Sequence, residues 1–537
     1  MKYLKILSSL FVTIALLYSC GTTAILSTPI ENIDATPTKK AELTDAELKK
    51  WNLLDLVNDT VPGMSVERAY TEIIKNNKGK SVIVGVIDSG VDIEHEDLSG
   101  VIWTNTKEKP NNGIDDDKNG YVDDIHGWNF LGKAVKENFE YVRIAKKEGI
   151  QSKTFNAAKE KQQKEFQIAQ QEKQQVDIIL QQIPIAEKAI KDHLNKKSFT
   201  INDLKSISST DPAVNQAKGL LLFLDRNNLD YEKIKDYSET SLKDKVEYNL
   251  NPEFDGRSIV GDNPDDLTDT NYGNNNVMGP DRESITHGTH VAGTIAAIRN
   301  NGKGINGVAQ NVKIMVLRAV PDGDEYDKDI ALAIRYAVDN GAKIINTSFG
   351  KAFSTHPEWV KDAIKYAASK DVLIVNAAGN DSKNIDVENT YPNDSYDGSA
   401  EYVDNMIVIG AISHNYNGDL LASFSNYGKT TVDLFAPGVK IWSTFPESEY
   451  DYLNGTSMAA PAVSGIAALI RSYYPKLSAN QVKKILMNSG LPVKLNVVTG
   501  NGETAKTLND ISVSGKIANA YNALILADKV SRGSVNL

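Results

Sequence analysis

Short apolar runs alternate with amphipathic stretches along most of the chain. Ser81–Ile87 (S-V-I-V-G-V-I) is one such run and leads into Asp88-Ser89-Gly90. Similar runs recur at Val312–Val320, Lys343–Ser348, Val372–Ala378 and Met406–Ile412. A run that is apolar on both faces fits a buried parallel strand. Helical spacing of apolar positions marks Ile285–Arg299, Asp329–Asn340, Pro357–Ser369, Ser457–Tyr474 and Ala479–Met487. Strands alternating with helices predict an α/β fold, a doubly wound parallel sheet with helices on both faces. Functional groups in such a sheet gather at the carboxyl ends of the strands.

One stretch breaks the pattern. Residues 150–218 contain no glycine and two prolines, Pro184 and Pro212. Lys, Gln and Glu dominate 158–175, with apolar residues at Phe166, Ala169, Val176, Leu180 and Ile183. This spacing of three to four, broken at Lys173, predicts a long amphipathic helix followed by shorter ones to about Asn249. An inserted, mainly helical subdomain over 135–249 is expected, its helices packed on one another. Such an insertion is either a gate or partner-binding arm, or a decoration tolerated in a surface loop.

The first twenty residues add a destination. Lys2 and Lys5 precede an apolar stretch, Ile6 to Leu17, which reads as a secretory signal and is short for a membrane span. Cys20 directly follows Leu17-Tyr18-Ser19, an arrangement that resembles the lipobox of bacterial lipoproteins. That resemblance implies a lipidated Cys20 and an exported protein anchored to a membrane of the bacterial cell envelope, periplasmic or surface-facing. The other reading is an ordinary signal peptide containing a cysteine. Residues 21–50, rich in Thr, Ala and Pro at their start, are expected to be a flexible tether.

Composition narrows the classes. The chain has 537 residues, 41% hydrophobic and 24% charged, which excludes global disorder and a polytopic membrane protein. A net charge of −11 makes nucleic acid a poor partner. Cys20 is the one cysteine, so neither an intrachain disulfide nor a cysteine zinc site can form.

Three motifs carry chemistry. Asp88-Ser89-Gly90-Val91-Asp92 ends the first strand; His287-Gly288-Thr289-His290-Val291-Ala292-Gly293-Thr294 and Gly455-Thr456-Ser457-Met458-Ala459-Ala460-Pro461 each open a helix. Separately they read as a turn, a chance pair of histidines and a helix cap. Together, in the order Asp, His, Ser, they resemble the subtilisin-like serine proteases. The resemblance covers about 51–134 and 250–530. It implies a subtilisin-like sheet and a serine endopeptidase. In that role Ser457 is the nucleophile, His287 the general base and acid, and Asp88 the group that orients and stabilises the imidazole. His290 is expected to be structural.

The same resemblance extends to Val372–Asn380, which ends in Ala377-Ala378-Gly379-Asn380. It implies that Asn380 supplies an oxyanion-hole amide beside the Ser457 N–H. It also makes Ser348, Phe349 and Gly350 the segment that pairs with an extended polypeptide substrate, with Tyr391-Pro392 opening the opposite wall. Phe349 and Lys351 depart from the family's common leucine and glycine there.

Asp115-Asp116-Asp117-Lys118-Asn119-Gly120 matches the first half of an EF-hand loop, although position twelve would be His126. Asp115, Asp117, Asn119 and Asp123 are therefore candidate ligands of a structural calcium, with the Tyr121 carbonyl; a solvated acidic loop is the alternative. The resemblance implies a second calcium at Asp97 and Asn301, aided by carbonyls near Ile298, Lys303 and Ile305. Two features depart from simple relatives: about 30 residues separate Cys20 from Trp51, too few for a folded pro-domain, and Asp88 and His287 lie far apart in sequence. The expectation is a calcium-stabilised, membrane-tethered, monomeric serine endopeptidase. A lipoprotein that only binds, without turnover, is the rival from another class.

Overall fold

The computed structural model of the protein describes residues 25, 27–31, 33, 36, 42–147, 152–396, 399–500 and 502–537. Cys20 and the expected signal lie outside the described residues. The strands are β1 (Val82–Asp88), β2 (Gly127–Asn129), β3 (Val312–Arg318), β4 (Ile344–Thr347), β5 (Leu373–Ala377), β6 (Met406–Ile412), β7 (Leu434–Pro437), β8 (Ile441–Phe445), β9 (Glu449–Leu453), β10 (Leu491–Pro492), β11 (Asn496–Thr499), β12 (Glu503–Thr507) and β13 (Lys516–Ile517). Nine of them form one sheet, ordered β10-β13-β7-β6-β5-β4-β1-β3-β2. Its neighbours run parallel except for the β10–β13 pair. β8–β9 and β11–β12 are separate hairpins.

The five apolar runs became β1, β3, β4, β5 and β6, and every residue of β4, β5 and β6 is buried. Burial on both faces explains why these strands lack alternation. The helix Thr456–Tyr473 lies against the sheet and is buried on nearly every side, consistent with its run of Ala, Val, Ile and Leu. Ser464 on this helix donates to the Asn346 side chain of β4 at 2.9 Å, satisfying two polar groups inside the core. The order of the strands puts β1 between β3 and β4, so the carboxyl ends of β1, β4 and β5 are neighbours.

The insertion is helical as expected. Its main helix spans Lys153–Leu194, 42 residues, which at about 1.5 Å per residue is roughly 63 Å long. Ser152 caps it by accepting from Phe155 N. Pairs spaced by four, Lys161–Glu165, Lys173–Asp177 and Lys188–Asp192, support its exposed faces. Towards the tip, Ala186 and Ile190 pack on Leu204, Val214 and Ala217 of the following helices.

The base differs from the expectation. Tyr141, Val142, Phe155, Ala158 and Leu250 form a cluster that takes in Phe353 of the sheet domain. Glu140 and Arg143 are buried and paired, and Arg143 also donates to the carbonyls of Asp324 at 2.7 Å and Glu325 at 2.9 Å. Lys136 bridges Asp244 and Asp322 at 2.5 and 2.6 Å. The flanks of the 135–249 segment are thus built into the sheet domain, and the free-standing arm begins well after residue 135. The described part of 21–50 also docks: the Ile30 backbone exchanges hydrogen bonds with Asn522 at 2.8 and 2.9 Å, and Ile33 is buried.

Glu172 and Tyr237 face each other across the arm, joined by a 2.8 Å hydrogen bond. Replacing 173–236 with a short Gly/Ser linker is expected to leave a folded protein with a melting temperature within a few degrees of the parent, because loop closure costs grow slowly with length. Arg143→Ala is expected to cost about 3 kcal/mol, since it takes the closest cation from the buried Glu140 carboxylate and leaves it Lys351 at 3.4 Å. Denaturant melts of both variants check the contrast.

Candidate active site

Asp88 is the last residue of β1 and almost fully buried. His287 sits in the first turn of the helix Thr286–Ala296. They meet because two glycines let two backbones touch. A Cβ on Gly288 would fall 2.1 Å from the Gly90 carbonyl oxygen, and Gly90 itself has φ +111°. Across this contact His287 Nδ1 lies 2.7 Å from Asp88 Oδ1. The carboxylate holds the proton on Nδ1 and leaves Nε2 as the base. Burial pulls the imidazole pKa down, but the Asp88 charge and hydrogen bond outweigh it, so the net shift is upward from 6.5.

Ser457 is the second residue of the Thr456–Tyr473 helix. Its hydroxyl donates to the Ser348 carbonyl at 3.1 Å, while the Ser348 hydroxyl donates to the Ser457 carbonyl at 2.8 Å. Asn380 stands beside it, one turn of chain beyond β5. Its Oδ1 accepts from Thr456 N at 2.9 Å and Thr456 Oγ1 at 3.0 Å. A backbone N–H can only donate, so this bond fixes the amide orientation and turns Nδ2 away from Thr456. A Cβ on Gly455 would lie 3.4 Å from Asn380 Nδ2 and 3.6 Å from Ser457 Cβ, which places the amide beside the serine.

Two supporting residues escaped the sequence reading. Thr456 joins Asn380 to the serine helix and also accepts from Gly379 N at 3.0 Å. Asn426, fully buried, accepts from Asp381 N at 3.0 Å and donates to the Ala378 carbonyl at 2.9 Å, shaping the loop that carries Asn380. Thr456 lay within a quoted motif; Asn426 lies in an ordinary Ser-Asn-Tyr-Gly stretch with no local signal. His290 Nε2 donates to the Ile441 carbonyl, 2.8 Å away, and burial lowers its pKa to about 3. It is a neutral, structural histidine, as expected.

The segment expected to bind substrate divides. Ser348 is buried behind Ser457, and Phe349 packs into the core instead of walling a pocket. Gly350 is exposed and lines a cleft of about 1160 Å³. Lys351 and Tyr391 exchange backbone hydrogen bonds at 2.9 and 2.8 Å, so the two expected walls are joined at that point.

The acidic loop is also rearranged. Carboxylate oxygens of Asp115, Asp117 and Glu108 lie within 4.8 Å of one another. Glu108 is buried, and its Oε2 has no hydrogen-bond partner among the described residues. Asp123 instead accepts from the N–H groups of Asn112 and Gly113 at 3.1 and 2.9 Å, outside the cluster. Asn119 Oδ1 accepts from Tyr121 N at 2.8 Å. Asp97 and Asn301 do meet, but through the Asn301 amide donating to Asp97 at 2.6 Å. Ile305 N donates to the other Asp97 oxygen at 3.1 Å, so Asp97, Asn301 and Ile305 come together as a cluster.

Residues 79–510 match the family model described as the subtilase family. A thermophilic serine proteinase of Bacillus sp. (strain AK1) is 41% identical over 228 residues, 42% of this chain and 50% of that protein. Subtilisin DY of Bacillus licheniformis is 41% identical over 206 residues, 38% of this chain and 69% of that protein. A solved protease structure from Pseudoalteromonas arctica is 30% identical, with a TM-score of 0.37, covering 45% of this chain and 70% of that one. The chain thus spans half the length of the first relative.

The Asp88–His287 bond makes a testable statement about protonation. An upward-shifted histidine adds stability that is full below its unfolded pKa of about 6.5 and is lost as pH rises through the folded value. NMR titration of His287 is expected to give a midpoint above 6.5, and Asp88→Asn to bring it below the wild-type value. Equal midpoints in the two proteins contradict the arrangement.

Proposed function

The chain belongs to the subtilase family and carries a subtilisin-like peptide-bond hydrolase domain; from that premise we propose that it is a serine endopeptidase, lipid-tethered in a bacterial envelope, that cuts polypeptides through an acyl-enzyme on Ser457. The observation that carries the chemistry is the 2.7 Å contact of His287 Nδ1 with Asp88, at the strand ends where Thr456 ties the Ser457 helix to Asn380. A serine hydroxyl is a weak nucleophile and needs such a base. In the proposed cycle the hydroxyl leaves the Ser348 carbonyl and turns to His287 Nε2. The imidazole takes its proton as Oγ attacks the scissile carbonyl, while Asp88 stabilises the imidazolium. Asn380 Nδ2 and the Ser457 N–H, a first-turn donor of its helix, meet the oxyanion. His287 then gives the proton to the leaving amine. Water attacks the acyl group through the same base and frees Ser457.

Ser457→Ala is expected to abolish cleavage and fluorophosphonate labelling without changing the melting temperature. Asn380→Ala should lower kcat by about 10²–10³ with KM nearly unchanged. Turnover near wild type in the first variant rejects the assignment. Labelling of the wild type also separates a peptidase from a binding scaffold.

Calcium belongs to the proposal as a structural ion at Glu108, Asp115 and Asp117. Three carboxylates so close repel one another unless a cation or proton intervenes, and calcium takes oxygen ligands in flexible geometry. The proposed set differs from the expected one in taking Glu108 and leaving out Asp123. At a hundredfold excess over Kd the ion would add about 2.7 kcal/mol. Chelation is therefore expected to lower the melting temperature, and Glu108→Gln to blunt that response. Identical melts with and without chelator refute the site.

The tether rests on Cys20 alone. Acyl chains contribute about 0.8 kcal/mol per buried CH₂, enough for stable anchoring when several are attached. Cys20→Ser is expected to move the protein out of the membrane fraction. A mature wild-type N-terminus that mass spectrometry finds unacylated rejects the anchor.

A further inference from the structure

The cleft beside Asn380 is walled in part by the insertion. Asn376–Gly379 at the end of β5, Gly350–Lys351 after β4 and Tyr391–Pro392 form its side on the sheet domain. The other side is Ile144, Lys147, Phe155, Ala157 and Lys161, with the start of the long helix at Ser152–Thr154. Its volume, about 1160 Å³, exceeds what a single side chain fills.

This wall is fixed to the part of the sheet domain that flanks the cleft. Lys351 directly follows Gly350 and is bonded to Tyr391 through the backbone. Its ammonium, almost fully buried, lies 2.9 Å from Asp327 and 3.4 Å from Glu140 of the insertion. Thr355, also on the cleft, donates to Glu140. Phe353 packs among Tyr141, Phe155 and Ala158. The insertion therefore touches both the lining and the supports of the cleft.

The charge on this wall has one sign. Among the described residues, the insertion's part of the lining includes Lys147, Lys153 and Lys161, and no carboxylate. Opposite them, the Lys383 charge is balanced by Glu388 at 3.0 Å and the Lys351 charge is spent in the interior. Lys147 is held by Asp265 at 2.9 Å and Lys161 by Glu165 at 2.6 Å, pairs as close as Lys383–Glu388, so Lys153 carries the wall's uncompensated charge. Lys153 is exposed and has no ion-pair partner among the described residues. Asp381 is the anion at the opposite end, next to Asn380.

Resting on the peptidase reading, we propose that the base of the insertion is a specificity wall, selecting polypeptides that place an acidic residue into this cleft. Apolar Ile144, Phe155 and Phe353 cover the stem of that residue, and the lysines meet its carboxylate. The arm beyond Glu172 takes no part.

The test uses the full chain and a peptide library in which each position near the scissile bond varies through acidic, basic and neutral residues. The wild type is expected to cleave peptides with Asp or Glu at the cleft position about two- to fivefold faster than the amide analogues, in kcat/KM, as a partly screened charge pair allows. Lys153→Glu combined with Lys161→Ala should abolish or invert that preference. Fluorophosphonate labelling of Ser457 is followed in parallel, because the small probe reports the nucleophile and does not need the wall. Loss of labelling in the wild type overturns the peptidase reading itself. Normal labelling with no acidic preference, or with a preference that the lysine variant retains, overturns the wall. Salt adds a second readout: raising ionic strength should flatten the wild-type preference and leave neutral peptides unaffected.

Discussion

The approach of the backbone at Gly90 to the backbone at Gly288 governs the placement of the remaining groups. With side chains at either position the loop after β1 and the His287 helix would stand apart, since the added carbons would overlap carbonyl and side-chain atoms by more than an ångström. Closed, the contact brings a carboxylate and an imidazole 199 residues apart in sequence to 2.7 Å. Smaller bonds lock it: Gly288 N donates to Ser89 Oγ at 3.2 Å, and Asp92 N to Thr289 Oγ1 at 2.9 Å. The parallel register does the rest. β1 is bonded to β4 and β4 to β5, so Ser348 and Asn380, each just past a strand end, arrive on the same edge as Asp88. Nothing between residues 152 and 243 is needed for this arrangement, which is why so long an insertion is compatible with it.

Most of that core was legible in the sequence because burial on two faces leaves a strong mark. β6 matched its apolar run from Met406 to Ile412, and Pro357–Ser369 matched its helix. The strands that escaped notice include short and half-exposed ones, but also β7, four residues and all buried, and β8, buried at three of its five. β2 is three residues, β10 and β13 two each, and β9, Glu-Tyr-Asp-Tyr-Leu, has no fully buried position. Residue identity marked Asp88, His287 and Ser457 in the sequence, and the structure sets the first two in contact. The site was not legible where a residue works only through a neighbour. Asn426 shapes the Asn380 loop across 46 positions of chain, counting 426 − 380, and no local spacing announces that. The acidic loop misled for a related reason. EF-hand spacing assumes that the loop's own later carboxylate closes the site, whereas Asp123 here caps the turn at Asn112–Gly113 and Glu108 reaches in from before the loop.

The hydroxyl of Ser457 shows how the resting site is held. It is bonded to the Ser348 carbonyl, and the Ser348 hydroxyl is bonded back, so neither polar group is left unsatisfied when the cleft is empty of substrate. The proposed attack exchanges one hydrogen bond for another and costs no net partner. Strand pairing of a peptide near Ser348–Gly350 would act on this same segment, so substrate backbone and nucleophile are coupled through Ser348.

Lys351 belongs to two structures at once. Its backbone helps to build the cleft through Tyr391, and its ammonium is an interior partner of Glu140 and Asp327. Buried ion networks seldom add net stability compared with apolar side chains of the same size, because desolvation consumes the Coulomb gain. Breaking one is another matter: removing a single member leaves a buried charge without a partner, at about 3–5 kcal/mol. The network that joins Glu140, Arg143, Lys351 and Asp327 therefore resists piecemeal change more than it strengthens the fold. A chain that drifts at Glu140 or Arg143 takes one group away from around the Lys351 ammonium, which Asp327 at 2.9 Å and the Glu325 carbonyl at 2.7 Å still hold. The base of the insertion and the floor of the cleft are thus joined through Lys351, while the helices between 173 and 236, which pack on their own apolar seam, are free to change without consequence for the site.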